Sequence, residues 1–247
     1  MANNLERFLA SKELSENSRA AYTYDLQQFL EVVGDEMTSS KLQVYETTIS
    51  TLKPAARRRK LSTINQFLLY LYEQGEVGAY HRLKPLDKVK QTTTQLPIRD
   101  LSVLFSETDQ TAGQLIALLI WQLGLTPSEI QSIKQADINL DFRMLTIKKG
   151  ELIRVLPLPE NLVPYLERVQ AGTYLLDKNG KSYSRQWLFN RLSHYLTSLG
   201  LGDLTAQKLR QQYIITELSR GVSQASLAKQ LGLKTTQTLM TYETHGH

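Results

Sequence analysis

The residues best suited to chemistry on phosphate form one basic cluster. Arg57, Arg58, Arg59 and Lys60 are consecutive, and Lys53 lies just before them. Adjacent cations repel one another, so the phosphate oxygens of DNA are a natural counterpart. The alternative is a solvated helix face whose charged side chains extend into water. The cluster therefore predicts a DNA contact but does not prove one.

Residue types that hold metals or nucleotides lack the spacing that such sites need. The chain has no cysteine, and its histidines form no His-x-x-x-His pair. Gly180-Lys181-Ser182 ends like a phosphate-binding loop, but Leu175 stands where that loop needs its first glycine. Gly200-Leu201-Gly202 lacks the rest of a dinucleotide fingerprint. We therefore expect no metal and no nucleotide cofactor. The histidines are His81, His194, His245 and His247.

The second half of the chain is predicted to be mostly helical, with one β-hairpin. Residues 115–123 read as a buried helix that Gly124 ends, and Pro127 begins the next helix. Residues 144–147 and 153–156 are short β-like runs, and 148–151 form the turn between them. Further helices are predicted around 187–196, 209–218 and 223–231.

The first 84 residues are predicted to form a small helical bundle. Ser15 is a plausible N-cap for a helix whose apolar face runs from Tyr22 to Val33. A second helix begins at Pro54 and ends near Gly75. The segment 84–97 is polar, has a proline near each end and shows no apolar period, so it reads as a linker. The apolar stripe of the second helix is Leu61, Ile64, Leu68 and Leu71.

Length and composition allow two ordered domains. The chain has 247 residues, of which 41% are hydrophobic, which is enough for real cores. The net charge of +5 permits a nucleic-acid partner without requiring one. No apolar run is long enough to span a bilayer, and the N-terminus lacks the apolar core of a signal peptide, so we expect a cytoplasmic protein with no membrane partner.

Several segments, taken together and in order, resemble the tyrosine recombinase (phage integrase) family. Residues 124–130, Gly-Leu-Thr-Pro-Ser-Glu-Ile, resemble its first box, Gly-Leu-Arg-x-Ser-Glu-Leu. Residues 205–213 and 221–233, followed by a tyrosine, resemble its C-terminal signature. The opening helix, from Ser15 through Tyr22 and Asp25 to Phe29, resembles the core-binding domain of the Xer branch. The joint match covers nearly the whole chain.

The resemblance assigns roles residue by residue. Tyr242 matches the nucleophile, Arg210 the second phosphate-binding arginine, and Lys149 the hairpin lysine, with Lys148 as a neighbouring alternative. Three positions depart from the family pattern. Thr126 stands where the first arginine belongs, Gln207 replaces the histidine of the second box, and Leu233 replaces a histidine or tryptophan. Lys134, Lys208 and Lys234 are candidates to replace the missing cation, on sequence nearness alone.

The chemistry that the resemblance implies is DNA cleavage through a covalent 3′-phosphotyrosyl intermediate, which needs no ATP and no metal. Two arginines clamp the nonbridging oxygens, and a lysine protonates the leaving oxygen. Thr126 carries no charge and Leu233 offers no donor, so we expect weak strand cleavage or none. The first alternative is an active recombinase with a rearranged active site. The second is a helical transcription regulator.

The resemblance also implies a mainly α architecture. We expect a core-binding (SAM-like) helical bundle over 1–84, a linker over 85–97 and a catalytic-type recombinase domain with a small β-hairpin sheet over 98–247. The two domains are expected to grip double-stranded DNA from opposite sides. Another recombinase is a further candidate partner. Only five residues follow Tyr242, too few for a docking helix, so we expect a monomer in free solution.

Overall fold

The computed structural model describes residues 2–34, 36–84, 97–169 and 172–242. The chain divides into two compact units, Met1–Lys90 and Gln91–His247. This division falls inside the segment that the sequence predicts as a linker. Residues 85–96 lie outside the described residues, so the linker and the exact domain bounds stay predictions.

The first unit is a bundle of helices around an apolar core. The hydroxyl of Ser15 accepts a hydrogen bond from the amide of Ser18, and Pro54 is the first residue of its helix. The predicted stripe of the last helix is buried throughout, because its members recur at helical spacing and face Phe8 and Phe29 in the same core. The helices are α1 (Ala2–Ala10), α2 (Glu16–Val33), α3 (Ser39–Ser50) and α4 (Pro54–Glu73).

The second unit is built around one helix that is buried on nearly every side. This helix, α5, packs against α8 and α9, and its run of leucine and isoleucine leaves no polar face. No helix in the described part of the chain is long and apolar enough to cross a membrane. The helices are α5 (Thr111–Leu123), α6 (Pro127–Ser132), α7 (Val163–Glu167), α8 (Arg185–Ser198), α9 (Ala206–Ser219) and α10 (Gln224–Gln230).

The predicted hairpin is present and belongs to a small antiparallel sheet. The strands β1 (Ile138–Asn139), β2 (Met144–Lys149) and β3 (Leu152–Pro157) lie in that order. Lys149 pairs with Leu152, so the turn consists of two residues. A second hairpin joins β4 (Asp177–Lys178) and β5 (Lys181–Ser182). Strands of two residues are too short to show the alternation from which a strand is predicted. The predicted fold class, mainly α with a small sheet, is confirmed.

Candidate active site

All six positions that the sequence assigns to the active site line one cleft of the second unit. The cleft has a volume of about 290 Å³. Its walls come from the loop before α6, the hairpin turn, helix α9 and the segment after α10. Residues separated by more than one hundred positions in the chain therefore meet. The six positions are Thr126, Lys149, Gln207, Arg210, Leu233 and Tyr242.

Thr126 has a structural task at the wall of this cleft. It is the N-cap of α6, and its hydroxyl accepts from the amide of Glu129 at 3.3 Å. The amide and hydroxyl of Thr126 both donate to Oε2 of Glu129, at 2.8 and 2.9 Å. This reciprocal capping box satisfies amides at the start of α6 that no carbonyl can reach. The short side chain is thereby held against the helix.

A glycine positions the loop that carries Thr126. Gly124 ends α5 with φ at +62°, in the left-handed region that favours glycine. A Cβ at this position would lie 2.5 Å from Tyr213 and 2.6 Å from Leu231. The loop therefore packs directly on helix α9 and the end of α10, which brings the two halves of the motif together.

Glu129 lies at the centre of a buried charge cluster. Its Oε1 accepts from Nη1 of Arg154 at 2.9 Å, and its Oε2 lies 4.0 Å from Nη1 of Arg210. Burial alone would raise the pKa of Glu129. Hydrogen bonds from Arg154 and Thr126, together with the charge of Arg154, outweigh burial and lower that pKa. The carboxylate is therefore held ionised between two guanidinium groups.

Arg210, which the sequence assigns to phosphate binding, is a partly buried cation of the cleft. Its side chain is 17% exposed, and its Nη2 donates to the carbonyl of Leu231 at 3.3 Å. Burial lowers the pKa of this guanidinium, and the charge of Glu129 acts in the opposite direction. An arginine stays protonated at neutral pH even so, which leaves a fixed positive charge in the cleft.

The hairpin offers two lysines, and only one of them lines the cleft. Lys148 donates from Nζ to Oδ1 of Asp137 at 2.6 Å, an ion pair that engages its charge. Lys149, at the end of β2, is exposed and lines the cleft. Successive side chains of a strand point to opposite faces, which explains why neighbours differ. Lys149 is therefore the hairpin lysine that lines the cleft.

Tyr242 and the two remaining substituted positions complete the cleft. Tyr242 is half-buried in a short 3₁₀ turn, where its amide donates to the carbonyl of Leu239 at 2.9 Å. Leu233 and Tyr242 both pack against a small apolar cluster that contains Leu231. Gln207 is exposed in the first turn of α9. Leu233 thus extends an apolar wall where the family pattern has a hydrogen-bond donor.

The three lysines suggested as substitutes for the missing arginine do not line this cleft. Lys208 donates to the carbonyl of Asp203 at 2.7 Å, and Lys134 lies over the ring of Tyr174 at 6.0 Å. Lys234 is exposed after α10. Nearness in sequence does not bring these lysines to the cleft, and for Lys208 the reason is that neighbouring side chains on a helix point in different directions.

Sequence reasoning missed Arg154, although a signal for it exists. Residues two apart on a strand share one face, so Arg154 lies on the same face of β3 as buried Leu156. Ile153 and Val155, on the other face, are exposed. An arginine on the inward face of a strand predicts a buried acidic partner. Glu129 is that partner, 25 residues away in the chain.

The basic cluster of the first unit divides into exposed and engaged cations. Lys53 and Arg58 are exposed, and Arg57 donates to the carbonyl of Ser50 at 3.2 Å. Arg59 and Lys60 both bond Oδ1 of fully buried Asp25 at 3.0 Å. Lys60 is 8% exposed and also donates to Gln28.

This arrangement corrects the expectation for Lys60. A buried carboxylate needs a buried counter-charge, and Lys60 supplies one to Asp25 instead of extending toward solvent. Arg59 remains half-exposed, at 47%, while it shares the same carboxylate. Fewer cations of this cluster therefore face solvent than the sequence predicts.

Comparison with known sequences agrees with the motif. The model of the phage integrase family matches residues 96–246. A protein of Streptococcus suis (strain 05ZYH33) named tyrosine recombinase XerD-like is 47% identical over 239 residues, covering 97% of this chain and 98% of its own. A protein of the same name from Streptococcus mutans serotype c is 46% identical over 238 residues, covering 96% and 97%.

Solved structures share the fold at low sequence identity. The integrase of the Tn1549 transposon, in complex with a circular intermediate DNA, superposes with a TM-score of 0.78 at 12% identity, covering 99% of this chain and 94% of its own. A lambda integrase dimer bound to a COC′ core site gives 0.75 at 14%, covering 100% and 96%. The fold, the joint motif and the near-full-length relatives agree that this chain belongs to the phage integrase family of tyrosine recombinases.

Proposed function

We propose that this protein binds double-stranded DNA and cleaves it slowly through Tyr242, as a site-specific recombinase whose active site is partly lost. One observation carries the proposal. The six motif positions, spread from residue 126 to residue 242, line a single cleft, and Arg210, Lys149 and Tyr242 are among them. A tyrosine, a fixed cation and a lysine in one cleft are the groups that phosphodiester cleavage requires.

The proposed step is a transfer of the phosphoryl group to the protein. The Oη of Tyr242 forms a bond to phosphorus, and the bond to the 5′ oxygen breaks. The phenolic proton of Tyr242 passes to water, and the leaving oxygen gains a proton from the ammonium group of Lys149. The products are a 3′-phosphotyrosyl bond, a free 5′ hydroxyl and a neutral lysine amine that water protonates again. The covalent link keeps the bond energy for rejoining. Arg210 stabilises charge on the nonbridging oxygens.

The three substitutions explain why cleavage is expected to be slow. Loss of an arginine at a phosphoryl transition state can reduce the rate by roughly 10³–10⁵. Thr126 is neutral and is engaged by Glu129. Loss of one donor typically reduces the rate by roughly 10²–10³, and Leu233 has none to offer. Gln207 keeps an amide donor at the cleft. Losses within one site need not multiply.

Double-stranded DNA is the proposed partner. The solved integrases that share this fold are in complexes with DNA. The first unit of this chain presents Lys53 and Arg58 to solvent at the start of α4, where phosphate oxygens would neutralise them. Phosphate contacts of this kind give affinity without sequence information, so the target sequence must be found by experiment.

The decisive experiment traps the covalent intermediate. Nicked duplexes that span the genomic neighbourhood are incubated with wild-type protein, Tyr242→Phe and a control, Tyr174→Phe, and phosphotyrosyl adduct is measured on denaturing gels. Tyr174 is a half-buried tyrosine outside the cleft-lining residues. We expect a slowly formed adduct in wild type and in the control, and none in Tyr242→Phe, because phenylalanine has no hydroxyl.

Two results would count against this function. Adduct formed by Tyr242→Phe would mean that another residue is the nucleophile. No adduct in wild type on any duplex, with DNA binding intact, would leave a DNA-binding role without cleavage as the better account.

A further inference from the structure

Arg154 is a buried arginine whose hydrogen-bonding capacity is mostly unused. Its side chain is 8% exposed, and Nη1 donates to Oε1 of Glu129 at 2.9 Å. Nε and Nη2 are buried and find no hydrogen-bond partner among the described residues. A guanidinium has five N–H donors, and leaving them unmet in a buried place is costly. Packing alone therefore does not explain why Arg154 is buried with these donors unpaired.

The guanidinium of Arg154 lies directly behind the wall of the cleft. Gly232, which lines the cleft, has φ at +64°, and a Cβ there would lie 2.7 Å from Nη1 and 3.3 Å from Cζ of Arg154. Any larger residue would collide with the arginine. Glu129, its hydrogen-bond partner, also lines the cleft. Two residues that line the cleft, Gly232 and Glu129, therefore lie against this guanidinium.

Among the described residues, the positive and negative charges around Glu129 do not balance. One carboxylate faces two guanidinium groups, Arg154 at 2.9 Å and Arg210 at 4.0 Å. The charge of Arg154 also acts to lower the pKa of Arg210, which shows that the two cations repel. Buried charge without compensation is unfavourable, and an anion in the cleft would supply that compensation. Positive potential in a low-dielectric cleft acts strongly on a developing anion.

We propose that Arg154 supplies the second fixed positive charge of the phosphate site, in place of the arginine that position 126 lacks. It is a positioning residue: it acts from behind Gly232 and through Glu129, which it holds ionised between itself and Arg210. This inference rests on the proposed cleavage function. It accounts for a threonine at position 126, since the threonine holds the same carboxylate from the other side.

The test removes the positive charge of Arg154 and then introduces a positive charge at position 126. Arg154→Gln is compared with wild type, with Arg143→Gln and with the double variant Thr126→Arg/Arg154→Gln. Arg143 is a matched control, because it pairs with Glu160 at 3.5 Å beside the same sheet and lies outside the cleft-lining residues. The double variant again has two cations around Glu129, as wild type does, so it stays informative if the single variant folds poorly.

The first readout is the rate of adduct formation on the duplex that wild type cleaves. We expect Arg154→Gln to slow the rate by about 10²-fold, as for loss of one electrostatic donor, and the double variant to recover most of that loss. A second duplex carries a methylphosphonate at the cleaved position, which removes one negative charge. Arg154→Gln should lose little relative to wild type on that duplex. A merely structural arginine would produce the same deficit on both duplexes.

The second readout does not need cleavage. Melting temperature is measured in inorganic phosphate and in chloride at equal ionic strength. We expect phosphate to stabilise wild type and Arg143→Gln, and Arg154→Gln to lose that increment. An equal increment in all variants, or none in wild type, would overturn the role of Arg154. Absence of adduct in wild type with a phosphate increment that depends on Arg154 would instead overturn the cleavage function alone.

Discussion

Thr126 has a structural task at a position where the family pattern has an arginine. Its hydroxyl and amide form the capping box with Glu129, and that carboxylate carries Arg154 on its other oxygen. Thr126 therefore has a structural role of its own at this position. The proposed function instead assigns the positive charge at the phosphate to cations from other parts of the chain.

Replacing Thr126 with arginine should increase cleavage and lower the stability of the protein. Thr126→Arg returns a fixed positive charge beside Glu129, and we expect a higher yield of phosphotyrosyl adduct than in wild type. The variant also loses the N-cap of α6, at a cost of about 1 kcal/mol in the free energy of unfolding. Adduct yield and urea unfolding measure the two effects. Adding Leu233→His should raise the yield further, by less.

A wild-type yield already equal to that of the Thr126→Arg protein would show that the site has not lost its cation. Tyr242→Phe in each background is the control, since adduct formation must stop in every one of them.

Glu129 should make the stability of the second unit depend on pH. Its folded pKa lies below its usual value of 4.5, so the unfolded chain binds the proton more tightly. The contribution of the carboxylate is fully present above the unfolded pKa and is lost as pH falls through the lower, folded pKa. Wild type should therefore exceed Glu129→Gln in unfolding free energy at pH 7, and the gap should close in acid.

Urea unfolding between pH 3 and pH 7 measures that gap. Glu107→Gln is the matched control, because Glu107 is exposed and has no ion pair among the described residues, so its gap should be small at every pH. A gap for Glu129→Gln that stays constant with pH would contradict the prediction.

At the scale of elements, the loop between α5 and α6 depends on Gly124. Gly124→Ala places a methyl group 2.5 Å from Tyr213 in a left-handed conformation. Gly200→Ala is a matched control, because Gly200 has φ at +71° and no atom within 4 Å of its Cβ position. The control should lose about 1–2 kcal/mol from backbone strain alone, and Gly124→Ala should lose more. Equal losses in urea unfolding would show that the loop can move away from α9.

Helix α4 should contribute an electrostatic DNA contact through its exposed cations only. Lys53→Ala/Arg58→Ala removes two exposed charges and spares the pair that neutralises Asp25. Each phosphate contact adds about 0.9 to the slope of log K against log salt, so we expect the slope to fall by about 2. Fluorescence anisotropy on duplex DNA across a salt series measures it.

The control for that series is Lys12→Ala/Lys41→Ala, which also removes two positive charges. Lys12 follows α1, and Lys41 lies in α3. Its slope should stay close to that of wild type. An unchanged slope for Lys53→Ala/Arg58→Ala would mean that the cluster is only a solvated helix face.

On the scale of the whole molecule, the chain forms two units with separate cores, one on each side of the predicted linker. Limited proteolysis with a protease of broad specificity should cut first between residues 84 and 95, since polar sequence without apolar period gives a protease an accessible backbone. Mass spectrometry of the first fragments gives the cut sites. First cuts within residues 61–72, inside α4, would contradict the two-domain interpretation.

Sequence alone determined much of this protein, because the relevant signals are local. Helical spacing predicts α2, α4 and α5, alternation with a turn predicts the main hairpin, and a glycine and a proline mark the loop before α6. The shorter α3 escaped prediction, because polar and β-branched residues interrupt its few buried side chains. The order of the motif segments identified the family and the six positions that meet in the cleft.

Tertiary structure alone decided which charges act together. Lys60 is directed to Asp25, Lys148 to Asp137, and Arg154 to Glu129, and each pair joins residues between 11 and 35 positions apart. A local pattern can indicate that a charge is buried, as for Arg154, but it does not identify the partner, because burial removes water from a charge only after distant elements pack, and the nearest opposite charge then becomes its partner. The sequence names the residues that could hold a phosphate, and packing determines which of them remain available to do so.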